Sequence, residues 1–131
     1  MAKLANISTR AFVNTGNDIV IAGFILGNGG AADNVILRGI GPSLASAGVL
    51  NPLANPTLEL RDSSGALVDS NDNWVDSPNK QAIIDSTIPP TNDLESAIVQ
   101  TLPANGASYT AIVRGVNDAT GIAVVEMFAL Q

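Results

Sequence analysis

The sequence predicts an all-β fold, an antiparallel β-sandwich of jelly-roll-like form with about eight or nine short strands and one or two short helical turns. Three observations carry that prediction. Apolar runs such as Ile19-Val-Ile-Ala-Gly-Phe-Ile-Leu26 are rich in β-branched residues and too short for a typical helix. Clean alternation marks Thr57-Leu-Glu-Leu-Arg61, the period of a strand with one buried face. Clusters of Asn, Asp, Gly, Pro and Ser punctuate the chain at short intervals, where a sandwich needs its turns.

Taken in order, residues 4–13 form a partly alternating first strand, 14–18 supply turn residues, and 19–26 form a buried second strand. The first 26 residues therefore read as a hairpin. A loop over 27–33 leads to a third strand at 34–40. Gly41-Pro42 ends it, because proline lacks the ladder N–H and pushes its neighbour toward extended or turn geometry. Ser43 is placed to cap one helical turn through Ala47, closed by Gly48. Residues 57–61, the turn Asp62-Ser-Ser-Gly65 and residues 66–70 make a strong hairpin signal. Residues 79–87 suit a short helix stopped by Pro89-Pro90, and a strand is expected from Ser96 onward. Residues 109–116 and 122–128, joined by a turn at 117–121, read as a final hairpin. The first and last of these units echo each other. Arg10-Ala-Phe-Val-Asn followed by Ile19-Val-Ile is matched by Arg114-Gly-Val-Asn followed by Ile122-Ala-Val, which places them in equivalent or adjacent parts of the sheets.

The 131 residues are 46% hydrophobic, 4% aromatic and 14% charged, enough apolar mass for one core and a single domain over residues 1–131. The core is expected to be aliphatic, in thin, tightly packed layers. With no histidine and no cysteine, the chain lacks the commonest general base, the thiol nucleophile, and both imidazole and thiolate metal ligands. Twelve acidic residues against six basic ones give a net charge of −6, which repels nucleic acid and anionic lipid. The run at 19–26 is far short of the ~20 residues that cross a bilayer as a helix, so no membrane insertion is expected. No signal peptide is visible behind Met-Ala-Lys, which points to another export route or a mature form.

The densest polar constellation is Asp69-Ser-Asn-Asp-Asn-Trp-Val-Asp76. Asp69, Asn71, Asp72, Asn73 and Asp76 carry the oxygen ligands that calcium takes. Asp69, Asn71 and Asn73 match the first, third and fifth ligands of an EF-hand loop, but Trp74 stands where that loop needs glycine and Lys80 where it needs glutamate. An EF-hand is excluded, leaving a different calcium geometry or, as the stronger reading, an Asx-rich turn that bonds its own backbone. Trp74 is either a glycan-stacking platform or, more simply, a plug at the end of the sandwich. No catalytic residues are assigned. The carboxylate pairs Asp93 and Glu95, or Asp72 and Asp76, are the weakest of the functional candidates. Arg38-Gly-Ile-Gly-Pro-Ser43 fits neither glycine-rich phosphate-loop pattern and reads as a strand end with a tight corner.

Several strings, Leu4-Ala-Asn-Ile-Ser-Thr-Arg10, Leu37-Arg-Gly-Ile-Gly-Pro-Ser-Leu44, Pro56-Thr-Leu-Glu-Leu60, Asn71-Asp-Asn-Trp74 and Tyr109-Thr-Ala-Ile-Val-Arg-Gly115, together resemble a β-rich module of large exported proteins of environmental bacteria. That module is similar in outline to pre-peptidase C-terminal domains, which are accessory β-sandwiches. The resemblance implies a non-enzymatic module outside the cell or at its surface, with no catalytic residues to carry over. A copy that begins with methionine and stands alone points to an excised module or a subunit that assembles. The leading expectation is accordingly a structural module that self-associates into a filament or surface layer. Sheet edges or N-terminal strand addition would serve, with Leu4, Ile7, Phe12 and Val13 as assembly residues. The alternative is a carbohydrate-binding or adhesive module using Trp74 and the 69–76 loop.

Overall fold

The computed structural model describes residues 7–15, 19–27 and 32–130. Eight strands are formed: β1 Ile7–Val13, β2 Val20–Ile25, β3 Ala32–Ile40, β4 Pro56–Arg61, β5 Leu67–Asp72, β6 Ser96–Pro103, β7 Ser108–Gly115 and β8 Gly121–Leu130. One short helix, α1 Lys80–Asp85, and three 3-10 turns, at Pro42–Ala47, Trp74–Asp76 and Val116–Asp118, complete the elements. The strands build two four-stranded sheets, ordered β1-β8-β3-β6 and β2-β7-β4-β5, in which every ladder is antiparallel. The sheets stack face to face with β1 over β2, β8 over β7, β3 over β4 and β6 over β5. This is the expected sandwich with jelly-roll connectivity.

The β4–β5 hairpin forms as expected, closed by Asp62, whose carboxylate accepts from the Ser64 hydroxyl at 2.7 Å and from the Ser64 and Ala66 N–H groups at 2.9 and 3.0 Å. The Ser64 hydroxyl first, then the Ala66 N–H, hold the Asp62 carboxyl below the usual carboxylate range. A folded-state value below the unfolded one stabilises the turn above the unfolded value, and the contribution is lost as pH falls through the folded one. An NMR titration is therefore expected to give Asp62 a midpoint below that of free aspartate. The Ser64 and Ala66 amides should lose exchange protection only as that lower midpoint is crossed.

The two other expected hairpins are not formed. β1 and β2 lie in opposite sheets, as do β7 and β8, so neither pair forms a ladder. Turn residues specify a change of direction but not a partner. Each of these strands has an apolar face to bury, and stacking one over the other buries both. The echo between the two units has a structural counterpart, since β1 pairs with β8 and β2 with β7.

Alternation decides what lies between the sheets. Val20, Ala22 and Phe24 of β2, Leu58 and Leu60 of β4, Val35 and Leu37 of β3, and Val125 and Met127 of β8 all point inward and are buried. Phe24 stacks on Tyr109 with ring centroids 5.6 Å apart, the one aromatic pair among the described residues, in an otherwise aliphatic interior. A second apolar cluster lies on the outer face of the β3–β6 pair, where α1 drops Ile83 onto Ile36 and Ala97. Residues 74–90 thus cover one sheet from outside; among the described residues no helix covers the other.

Candidate functional site

The 69–76 constellation spans the end of β5 and the 3-10 turn after it, and its polar atoms are turned to separate partners. Asp69 accepts from the Gln100 amide at 3.0 Å and from the Ser70 N–H at 2.8 Å. Asn71 accepts from the Ala97 N–H at 2.9 Å. In the orientation its surroundings require, the Asn55 amide donates to Asp72 Oδ1 and Asn73 Oδ1, both at 3.2 Å, and to the Leu94 carbonyl at 3.0 Å. Asp76 is exposed. Asp69 and Asn71 thus accept from β6, Asp72 and Asn73 meet at Asn55, and Asp76 stands apart as an exposed side chain. Among the described residues no group of three acidic side chains is placed to hold a metal ion. Asn73, at φ 69°, turns the chain from β5 into the 3-10 turn at Trp74–Asp76.

Trp74 is half-buried against the outer cluster of Ile36, Ile83 and Ala97, and its indole N–H donates to the Asn92 carbonyl at 3.1 Å. It plugs the outer face of a sheet beside α1, not the end of the sandwich, because the residues that follow it are the ones that fold back over that face.

Glu95, weighed above only as half of a carboxylate pair, is fully buried and is the centre of a hydrogen-bonded knot. Its Oε2 accepts from the N–H groups of Gly41 and Ser43, at 2.9 and 3.0 Å, and from the Ser43 hydroxyl at 2.6 Å. Its Oε1 accepts from the Asn92 N–H at 3.2 Å, while Asn92 Oδ1 accepts from the Leu94 N–H at 2.9 Å, a capping box on a single turn. The Glu95 carbonyl accepts from the Trp74 N–H at 2.8 Å. Asp93, two residues away, is exposed, so the two carboxyls do not form a pair across a cleft. The missed signal was Asn92-Asp-Leu-Glu95, an N-x-x-E cap placed directly before a strand.

Arg38, on the outer face of β3, is held from three sides. It donates to Glu126 Oε1 through Nε at 3.1 Å and through a second nitrogen, donates to the Ile88 carbonyl at 3.2 Å, and lies 5.2 Å from the centre of the Phe128 ring. This pair walls a groove of about 340 Å³ that also meets Ser8, Ile40, Leu44 and Thr91. The groove is shallow and the guanidinium is spent on its neighbours.

Of the expected assembly residues, Leu4 lies outside the described residues. Ile7 is half-buried, Val13 is buried in the core, and Phe12 stays 51% exposed. β1 pairs with β8 of its own chain along its whole length, from Ile7 opposite Met127 to Val13 opposite Gly121. Within the chain β1 closes its own sandwich, and its inward Val13 belongs to the common core.

The two lateral sides of the sandwich differ. On the β5/β6 side, side chains bridge the gap: Asn71 takes the Ala97 N–H of β6, and Asp69 takes the Gln100 amide. On the β1/β2 side no hydrogen bond of that kind joins the described residues, and the strands present Phe12, Ile21 and Ile25, which are 51%, 52% and 64% exposed.

No family model matches the chain, and no curated protein does. Among solved structures, the pre-peptidase C-terminal domain of a collagenase from Bacillus anthracis shares the fold. The alignment covers 94% of this chain and 89% of that one, with a TM-score of 0.54 and 12% sequence identity. The chain is thus similar in fold to a pre-peptidase C-terminal β-sandwich, as its sequence motifs implied.

Proposed function

We propose that this protein is a non-catalytic structural module of exported proteins that works by associating through the open β1/β2 side of its sandwich. The asymmetry between the two lateral sides carries the reading: one is bridged by side chains, while the other carries exposed isoleucine and phenylalanine. The one buried carboxylate among the described residues, Glu95, is committed to backbone N–H groups, and the chain has no histidine or cysteine, which favours a structural role over acid–base or nucleophilic chemistry. A role outside the cell is supported by the likeness to a domain of a collagenase.

Sedimentation velocity over a wide protein concentration range tests the proposal. The weight-average mass is expected to rise reversibly with concentration. A strictly monomeric boundary throughout would sink the associative role.

A further inference from the structure

The four sheet edges of the sandwich are β1, β6, β2 and β5, and three of them carry devices that discourage pairing with another strand. β1 carries Arg10. β6 ends in Pro103 and has its Ala97 N–H taken by Asn71. β5 carries Asp69 and Asp72 and sits against a register shift at Leu60/Arg61. β2 has none of these. Its six residues, Val-Ile-Ala-Gly-Phe-Ile, include no charge and no proline, its ladder to β7 is regular, and among the described residues β7 is its only partner.

Gly23, in the middle of this strand, adds a second observation. It is exposed, and a Cβ there would meet nothing nearer than the Tyr109 carbonyl oxygen at 4.0 Å. Glycine weakens a strand interior, and among the described residues nothing requires it here. On a two-fold axis the central residue meets its own copy at about 4.5–5.5 Å on one face, and glycine leaves that position uncrowded.

We infer that β2 is the edge at which a second copy of this chain docks, β2 antiparallel to β2, with Gly23 on the two-fold axis. This rests on the associative reading above and names its partner and register. The pattern about Gly23 is self-complementary: Ile21 lies opposite Ile25 of the second copy and Ala22 opposite its Phe24, so every cross-strand pair is apolar. Two strongly acidic chains, each of charge −6, meet here without bringing a charge of either strand into contact, whereas pairing through β5 would set Asp69 and Asp72 against their counterparts. The union makes one continuous sheet of eight strands, β5-β4-β7-β2 followed by its symmetry mate. A single strand pair with two isoleucines from each copy falls below the roughly 1,200 Å² of a standard interface, so the dimer is reversible and fills at high concentration.

The absence of native cysteine supplies the test. In Gly23→Cys the two thiols of an axis-centred pair lie within disulfide range, because directly opposed residues are about 4.5–5.5 Å apart. Under mild oxidation this variant is expected to form a covalent dimer about tenfold faster than Ser70→Cys, a control on the exposed face of β5. The double variant Ile21→Lys, Ile25→Lys should keep its far-ultraviolet spectrum and cooperative melt, since both side chains are exposed, and should lose concentration-dependent mass. If the unmodified chain associates while Gly23→Cys cross-links no faster than the control and the lysine variant associates normally, the β2 register is overturned and the associative role stands. If the unmodified chain does not associate, both fall.

Discussion

Replacing Glu95 with alanine is expected to lower the unfolding free energy by about 3–5 kcal/mol, because several buried donors lose the acceptor they share. The side chain is fully buried and serves four donors: the N–H groups of Gly41, Ser43 and Asn92 and the Ser43 hydroxyl. Each backbone donor left without a partner away from water costs about 1–3 kcal/mol, although the Ser43 hydroxyl can rotate elsewhere. Glu95→Gln keeps the shape but puts an NH2 group where an N–H now donates, so a smaller loss of about 1–3 kcal/mol is expected. Urea unfolding followed by Trp74 fluorescence reads both, because the tryptophan N–H donates to the Glu95 carbonyl. A change below about 1 kcal/mol in the alanine variant would mean that the knot is already satisfied by water.

Gly41→Ala is expected to cost about 3 kcal/mol or more, the upper range for overpacking. A Cβ at this position would overlap the backbone carbonyl of Leu53 and press on the Pro56 ring, and neither is the flexible tip of a side chain. Leu53 is itself buried, and its N–H donates to the Ile122 carbonyl at 2.8 Å, so it cannot step aside without loosening β8. Because the Gly41 N–H is one of the Glu95 donors, the two substitutions act on one network, and the double variant should cost less than the sum. Additive losses in a double-mutant cycle would refute the shared knot.

These two positions also show what the sequence made legible and what it did not. The strand content, the β4–β5 hairpin and the corner at 41–48 were readable because periodicity, turn chemistry and proline act within a few residues. The placement of β1 and β2, and of β7 and β8, in opposite sheets was not, because the choice between pairing and stacking depends on strands elsewhere in the chain. The same limit applies at the candidate site. Asp69 and Asn71 were grouped with Asp72, Asn73 and Asp76 because they are neighbours in sequence. In space they are turned toward β6, across the side of the sandwich that their own hydrogen bonds bridge. Glu95 was undervalued for the converse reason, since its Gly41 and Ser43 partners lie more than 50 residues away. The corner at Gly41 was correctly read as structural, but the clash that demands glycine there comes from Leu53, which no local pattern announces.

The strand order has a consequence for how the molecule reaches this state. Of the eight strands, the last two in chain order are interior ones: β7 lies between β2 and β4, and β8 between β3 and β1. β1 and β2 are made first and have no ladder partner until the final segments arrive. Loop closure over nearly the whole chain must therefore precede the completion of either sheet, which puts this protein among slow folders governed by distant contacts. Until then the uncharged strand β2 is a nascent edge on both sides, and chaperone capture during synthesis would act on that segment first.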